Sequence, residues 1–293
     1  MLKNIKITLS LCLLVLSGCA QLPQQPTAQM GNLLIVEPIP ANPRAQLAIV
    51  KINYDLGDDE IQDSARADLH YQRGLLYDSM GLSTLAQFDF TQVLVLRPNM
   101  AEAYNSIGIH YVQQQNFSQA YEAFDSSIDI KPDYDFAYLN RGIALYYSGK
   151  PELAIDDLAW FQQRKPTDPY RAIWRFIAAR EVNEQEAIEQ LRADRAAFDP
   201  TFWANNIVDF YLGDINENAL LNSLLVNVEN RTELNNRVCE AYFYIGKHHS
   251  YSGQRGKASN YFKLALSTNV YDFVEHRYAR LELERLTDNR PES

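Results

Sequence analysis

The chain has 293 residues, of which 46 % are hydrophobic and 22 % are charged, and its formal net charge is −10 at pH 7. Acidic residues outnumber Lys and Arg by 37 to 27, and no run of basic residues interrupts them. An acidic chain of this kind is a poor binder of nucleic acid and of anionic surfaces, so we exclude both as partners.

The first twenty residues have the organisation of an export signal. Lys3 and Lys6 precede an apolar stretch over residues 7–16, which is too short to span a bilayer. The tetrad Leu16-Ser17-Gly18-Cys19 then resembles a bacterial lipobox, whose Cys is lipidated and becomes the first residue of the mature chain. We predict a lipoprotein signal peptide over residues 1–18 and a lipid anchor on Cys19. An ordinary secretory signal with an incidental Cys is the alternative interpretation.

Residues 19–43 are predicted to form a lipidated flexible tether, because five prolines prevent a helix there. Inside the tether, residues 33–36 form an apolar run, Leu-Leu-Ile-Val. This run either docks on the folded part of the chain or on a partner, or it is disordered. Residues 44–66 then form an N-terminal helical region, with a first helix over residues 44–56 and Gly57 ending it.

Residues 67–168 contain one pattern of 34 residues written three times. Five positions recur at that spacing: a Gly, a Gly or Gln, an Ala, a Phe or Leu, and a Pro. The residues are Gly74, Gly108 and Gly142; Gly81, Gln115 and Gly149; Ala86, Ala120 and Ala154; Phe90, Phe124 and Leu158; and Pro98, Pro132 and Pro166. This period is the signature of tetratricopeptide repeats (TPRs), which are helix–turn–helix units that stack into a solenoid.

Each recurring residue has a physical role in that architecture. A Gly inside a helix costs about 1 kcal/mol relative to Ala, so we expect close helix–helix approach to compensate for it. The Pro ends the second helix of each repeat because it lacks an N–H group. The pattern weakens over residues 169–238, where Phe176 takes the place of the Gly, and it returns over residues 239–272. Residues 273–293 are predicted to be a capping helix and a tail. The fold class is therefore an all-α TPR solenoid with extra N-terminal and C-terminal helices.

Signatures of catalysis and of metal binding are missing from the sequence. There is no Gly-rich phosphate loop, no HExxH and no nucleophilic Ser motif, and the adjacent His248 and His249 cannot chelate one ion from one helix face. Cys239 remains alone once Cys12 has left with the signal and Cys19 is acylated, so no intrachain disulfide can form. We predict a protein that is not an enzyme and carries no cofactor or metal.

A repeat solenoid offers a groove, and the first helix of each repeat faces it. The positions that face this concave side are aliphatic, aromatic or polar here, without the Lys and Asn clamp that some co-chaperone repeats use for a C-terminal carboxylate. The predicted protein-binding groove consists of Tyr71, Leu75, Asp78, Asn105, Ile109, Val112, Gln113, Leu139, Ile143, Tyr146 and Tyr147. We expect an exposed row of Tyr and Ile that binds an apolar or extended segment. Alternatively, Ile109 and Ile143 pack against the neighbouring helix.

Several segments together resemble one family of bacterial proteins. The lipobox, YQRGLLYDSMG (residues 71–81), YLNRGIALYYSG (residues 138–149) and VEHRY (residues 274–278) are similar to the NlpI family of proteobacterial outer-membrane lipoproteins. The similarity covers nearly the whole mature chain and is weakest in the tether and over residues 201–233. It implies an all-helical homodimer that faces the periplasm, and Ala20 after the lipidated Cys is in keeping with outer-membrane sorting.

The resemblance also implies a function. Members of this family act as adaptors that bind a periplasmic tail-specific protease, present a murein endopeptidase to it, and gather other peptidoglycan enzymes. Two alternatives stay open at this point. One is a lipoprotein that assists outer-membrane assembly, of the secretin pilot or β-barrel assembly type, and the other is an enzyme hidden in residues 201–233.

Overall fold

Fourteen α-helices, without a strand, make up the part of the chain that the computed structural model describes, residues 33–40 and 42–287. The predicted signal peptide, the lipobox with Cys19 and the last six residues lie outside the described residues. The helices are α1 Pro43–Leu56, α2 Asp63–Ser79, α3 Ser83–Leu96, α4 Ala101–Gln113, α5 Phe117–Ile130, α6 Asp135–Tyr147, α7 Pro151–Gln163, α8 Pro169–Val182, α9 Glu184–Arg195, α10 Asn205–Tyr211, α11 Glu217–Ser223, α12 Arg231–Tyr251, α13 Arg255–Leu266 and α14 Val274–Thr287. The predicted all-α solenoid is confirmed.

Three helix pairs, α2/α3, α4/α5 and α6/α7, correspond to the three regular repeats. The second helix of each pair ends two or three residues before its Pro, as expected for a residue that cannot continue a helix. The first pair starts earlier than the sequence pattern, because α2 begins at Asp63 instead of residue 67. Each helix packs on the next one along the chain, which builds the solenoid.

The expected close approach of two helices at the recurring Gly is present in the three regular repeats and in the final repeat. A Cβ atom placed on the Gly of the first helix would lie 2.5–2.7 Å from the large side chain of the second helix. The facing pairs are Gly74 and Phe90, Gly108 and Phe124, Gly142 and Leu158, and Gly246 and Phe262. All four large side chains are fully buried. The Gly therefore makes room for the main apolar residue of its own repeat.

Replacing Gly108 by Ala should destabilise the protein by about 1–3 kcal/mol, because the added methyl group would lie 2.5 Å from Phe124 Cε1. Gly256 in α13 is the matched control, since nothing lies within 4 Å of its added Cβ. Gly256→Ala should leave stability unchanged or raise it by up to about 1 kcal/mol. Urea unfolding followed by circular dichroism checks both, and equal effects at the two sites would contradict the packing argument.

The turn between the two helices of a repeat requires a left-handed backbone. Gly81, Gly149 and Gly253 take φ values of 72°, 78° and 71° there, and Gln115 takes 59° in the second repeat. A residue with a side chain in this conformation costs about 1–2 kcal/mol relative to Gly. The recurrence of Gly at this position therefore follows from backbone geometry, and the second repeat tolerates the strain.

The weakened part of the pattern remains helical but changes its packing. Phe176, which replaces the Gly, packs against Tyr211 of α10 with 5.2 Å between ring centroids. A cavity of about 220 Å³ lies between α7, α8 and α9. The next two helices, α10 and α11, have only seven residues each. The final repeat then begins with α12 at Arg231, eight residues before the start that the pattern predicts.

Residues 33–40, which the sequence places in the tether, run extended along the final repeat. Tyr242 of α12 donates a hydrogen bond of 2.6 Å to Leu34 O, and Asn235 donates one of 2.7 Å to Glu37 O. Ile39 N donates to Thr268 O at 3.0 Å. Of the alternatives for the apolar run at residues 33–36, the structure therefore shows docking on the chain's own solenoid.

Candidate protein-binding surface

The predicted groove residues lie on α2, α4 and α6, but they differ widely in exposure. Leu75 is exposed, and Tyr71, Asp78, Ile109, Gln113 and Tyr146 are half-buried. The buried members are Asn105, Val112, Leu139, Ile143 and Tyr147. The open positions belong mostly to the first two repeats, and the covered ones mostly to the third.

The third repeat is covered because the C-terminal helices α12 and α14 lie against it. Tyr147 OH donates a hydrogen bond of 2.8 Å to Glu282 Oε1, and Arg285 donates one of 2.6 Å to Tyr147 O. Lys247 Nζ lies 2.6 Å from both Tyr146 OH and Glu282 Oε1. The residues predicted as the aromatic end of the groove are thus bound by side chains of the same chain.

Trp174 of α8 joins the same contact. Its ring centroid lies 6.3 Å and 6.2 Å from those of Tyr146 and Tyr147, and 5.9 Å and 6.0 Å from those of Phe243 and Tyr278. Trp174 is only 3 % exposed. It therefore forms the centre of an aromatic cluster that fixes α12 and α14 to the arc of the repeats.

The expected exposed row of Tyr and Ile is wrong for the third repeat. Ile143 is fully buried and Tyr147 is 3 % exposed. The pattern predicted α14 as a cap at the end of the solenoid, whereas α14 also contacts α4 and α6. The sequence signal that was missed is the single Lys247 within the apolar α12, opposite Glu282 in α14, since a buried charge requires a partner. Binding by the remaining groove residues stays a prediction.

The surroundings of this contact raise the pKa of both Lys247 and Tyr147. Burial alone would lower the pKa of Lys247, but the charge of Glu282 together with Tyr146 and the hydrogen bonds to both residues outweighs it, and the pKa is raised above its usual value. Burial, followed by the charge of Glu282, raises the pKa of Tyr147 well above its usual value. Lys247 is therefore a cation and Tyr147 a neutral donor at neutral pH, as their hydrogen bonds require.

The first two repeats retain an open surface. Leu75 is 44 % exposed, and Tyr71, which is half-buried, packs its ring against Phe90 with 5.8 Å between ring centroids. Burial, followed by the charge of Glu102, raises the pKa of Tyr71. Asn140 Nδ2 donates to Asn105 Oδ1 at 2.9 Å, which links α4 and α6 beneath this surface. The arrangement offers apolar area with neutral polar groups beside it, which suits a polypeptide ligand.

A second concave feature lies between the third repeat, α8 and the C-terminal helices. It is a cavity of about 320 Å³ lined by Phe136, Phe161, Trp174, Tyr244, Glu240 and Glu275, among others. Glu240 and Glu275 are both buried. Burial raises the pKa of both carboxyl groups, and the pKa of Glu240 rises further because of the charge of Glu275. The sequence analysis missed this site, although an acidic residue within the apolar run of α12 is a signal of it.

Residues 33–40 and 42–287 contain neither a cluster of metal-ligating side chains nor a membrane-spanning helix. No three His, Cys, Asp or Glu side chains there converge on one point. None of the helices in those residues has the length and apolar character needed to cross a bilayer. Cys239 is buried, and burial raises the pKa of its thiol well above the usual value.

The repeat pattern also matches a known family. Residues 67–100 and 101–134 match the tetratricopeptide repeat family, with the same boundaries as the first two predicted repeats. The first two repeats of the chain are therefore tetratricopeptide repeats. TPR folds are protein-interaction scaffolds and typically not enzymes, so this TPR chain is expected to bind peptide or protein partners.

One solved structure shares the fold of this chain at low sequence identity, and two others are similar to it at lower TM-scores. A TPR protein from Parabacteroides merdae is 16 % identical with a TM-score of 0.50, over 84 % of this chain and 79 % of that one. PilF from Pseudomonas aeruginosa is 14 % identical with a TM-score of 0.45, over 82 % and 90 %. YrrB, a TPR protein with an unusual peptide-binding site, is 16 % identical with a TM-score of 0.43, over 82 % and 99 %. At 16 % identity, the likeness to the Parabacteroides merdae protein concerns the fold alone.

Proposed function

We propose that this TPR protein is an adaptor that binds a periplasmic tail-specific protease together with peptidoglycan hydrolases, a murein endopeptidase among them, and so controls their turnover. The observation that carries the proposal is the open concave surface of the first two repeats, beside a third repeat closed by α12 and α14. A preformed concave surface binds a partner segment at low entropic cost, because the surface does not have to become ordered on binding. The choice of partners is supported by the resemblance of the lipobox and the three quoted segments to the NlpI family.

The proposal includes the place where the adaptor works. A chain lipidated at Cys19 would be anchored in the outer membrane and would face the periplasm, which holds peptidoglycan and its enzymes. Several acyl chains on one Cys give a firm anchor, since each buried CH₂ group contributes about 0.8 kcal/mol. Docking of residues 33–40 along α12 leaves residues 20–32 as the spacer between the lipid and the solenoid.

The proposal also includes a homodimer, and the surface of α1 supports it. Leu47, Val50 and Tyr54 are spaced along one helix face and are 71 %, 65 % and 84 % exposed. A contiguous row of large apolar side chains on a surface helix is typical of an interface. A second copy of the chain would cover it through the same face of its own α1.

The function is tested by affinity capture from a detergent-solubilised envelope extract, with the full-length chain as bait. Leu75→Glu alters the open surface, and Leu85→Glu on α3 is the matched control, since the two leucines are 44 % and 47 % exposed. We expect the native chain and Leu85→Glu to recover a tail-specific protease and murein hydrolases. Leu75→Glu should recover at least one of them about tenfold less, the equivalent of about 1.4 kcal/mol.

Three other results would change the proposed binding surface or the proposed function. Equal recovery by all three baits would keep the adaptor function and move the binding surface away from α2. Recovery of secretin or barrel-assembly subunits alone would contradict the adaptor function and would instead establish the outer-membrane assembly function. Hydrolytic turnover by the purified chain would contradict both.

A further inference from the structure

The cavity beside Trp174 differs from the rest of the interior in how its carboxylates are paired. Five acidic residues of the described chain are buried, and three of them contact a cation. Asp89 lies 2.6 Å from Arg73, Asp157 lies 2.7 Å from Arg141, and Glu282 lies 2.6 Å from Lys247. The two without a cation are the cavity residues Glu240 and Glu275.

Each of these two carboxylates receives one hydrogen bond from a tyrosine. Tyr170 OH donates to Glu240 Oε2 at 2.7 Å, and Tyr244 OH donates to Glu275 Oε1 at 2.6 Å. Within residues 33–40 and 42–287, no Lys, Arg or His nitrogen lies within 4 Å of either carboxylate. Buried carboxylates are normally paired with a cation, because removing an unpaired charge from water is expensive. The two carboxylates could therefore accept a positively charged group from a ligand.

Two basic residues act near the cavity, and both are paired with other groups. Arg171 lines the cavity, but its guanidinium lies 2.7 Å from Asp135 and stacks 4.0 Å from the centroid of the Phe161 ring. Arg237 of α12 forms an ion pair with Glu233 one turn earlier in the helix. Neither can turn to the carboxylates without giving up its own partner.

The walls of the cavity suit a long cationic side chain. Phe136, Phe161 and Trp174 line the cavity together with the two carboxylates. Aromatic rings pack against the methylene stem of Lys or Arg and attract the charged head through the electrons of the ring. The volume of about 320 Å³ falls at the lower end of pockets that hold small ligands.

We propose that this cavity binds the side chain of a lysine or arginine presented by an extended segment of a partner protein. Glu240 and Glu275 would accept hydrogen bonds from the charged head, and the aromatic rings would hold the stem. A polypeptide is the fitting source, because Phe136, which lines the cavity and is 48 % exposed, lies on α6, the first helix of the third repeat. This proposal rests on the protein-binding function proposed above, and it adds that the bound segment carries a positively charged side chain.

The test uses pools of capped nine-residue peptides that differ only in the central residue, with all other positions randomised. The central residue is Lys, Arg, norleucine or Glu, and norleucine keeps the length of the Lys stem without its charge. Each pool is passed over the immobilised full-length chain. We expect the Lys and Arg pools to be retained at least about tenfold more than the norleucine pool, because a hydrogen bond to a charged group is worth about 1.5–3 kcal/mol.

The matched variants separate this site from the general attraction of an acidic protein for cations. Glu240→Gln/Glu275→Gln removes the two cavity charges and keeps an oxygen for each tyrosine to donate to. Glu122→Gln/Glu152→Gln removes two exposed charges elsewhere and changes the net charge by the same amount. The preference for Lys and Arg should disappear in the first double variant and persist in the second. A circular dichroism melt verifies that both are folded.

Three results would overturn the proposal: equal retention of the norleucine and Lys pools, a cation preference that survives in the cavity variant, or a preference lost equally in both variants. If the cavity result is negative while envelope capture still recovers partners, only the cavity is wrong. If capture fails as well, the protein-binding function itself is wrong.

Discussion

Lys247→Met should lower the free energy of unfolding by about 3–5 kcal/mol, because it leaves Glu282 buried without its cation. The side chain of Lys247 is 7 % exposed and that of Glu282 is 5 % exposed, so water cannot replace the lost partner. The midpoint of urea unfolding, followed by circular dichroism, measures the loss. An effect of this size would be a large part of the stability of a domain, which is typically about 5–15 kcal/mol.

Two variants test the cause of that loss. Lys131→Met breaks the solvent-exposed pair with Glu102, so it should change the unfolding midpoint little. Lys247→Met/Glu282→Leu removes both charges and should recover part of the stability, since apolar residues can replace a buried ion pair. If the double variant were as unstable as the sum of its single variants, the contact between α12 and α14 would not owe its energy to this pair.

Trp174→Ala should also cost about 3–5 kcal/mol, because it removes the ring at the centre of the cluster that joins α6, α8, α12 and α14. We expect the far-ultraviolet spectrum to keep most of its helical signal, since the repeats themselves remain packed. Limited proteolysis should then cut within α14, whose contact with Tyr147 and Trp174 is lost.

Trp160 on α7 provides the control of equal size. Its ring stacks on Tyr138 at 3.7 Å and on the guanidinium of Arg164 at 4.4 Å, and the residue is half-buried. Trp160→Ala should therefore cost clearly less than Trp174→Ala in urea unfolding and should leave α14 protected from protease. Cleavage in α14 with both variants would mean that Trp174 does not fix the C-terminal helices.

The closed third repeat changes how binding must be tested. Alanine at Tyr146 and Tyr147 would disturb the buried contact with Lys247 and Glu282, so a loss of binding there could follow from a loss of structure. Leu75 and Gln113, on the open part of the surface, are better positions for substitution. The sequence predicted one groove across three repeats. The structure instead has an open surface on α2 and α4 and a separate cavity against α8.

The features of the fold that depend on local spacing can be predicted from the amino-acid sequence. The 34-residue period placed the helix pairs, because a Gly inside one helix and a large residue in the next must meet wherever the two pack together, as Gly108 and Phe124 do. Pro ends the second helix of a repeat because its φ is fixed and it lacks an N–H group. Gly81 allows the turn between two helices because it takes a left-handed backbone. These constraints act within one repeat, so a single sequence contains them.

Which part of the concave face is open depends on contacts between residues that are far apart in the chain. Tyr147 meets Glu282 across 135 residues, and Tyr170 meets Glu240 across 70. Such contacts follow from the path of residues 201–233 and from the curvature of the arc, which no period in the sequence encodes. The same path places Glu240 and Glu275 at one cavity without a cation. Burial depends on what packs on a face from far along the chain, so spacing identifies a concave position without determining its exposure.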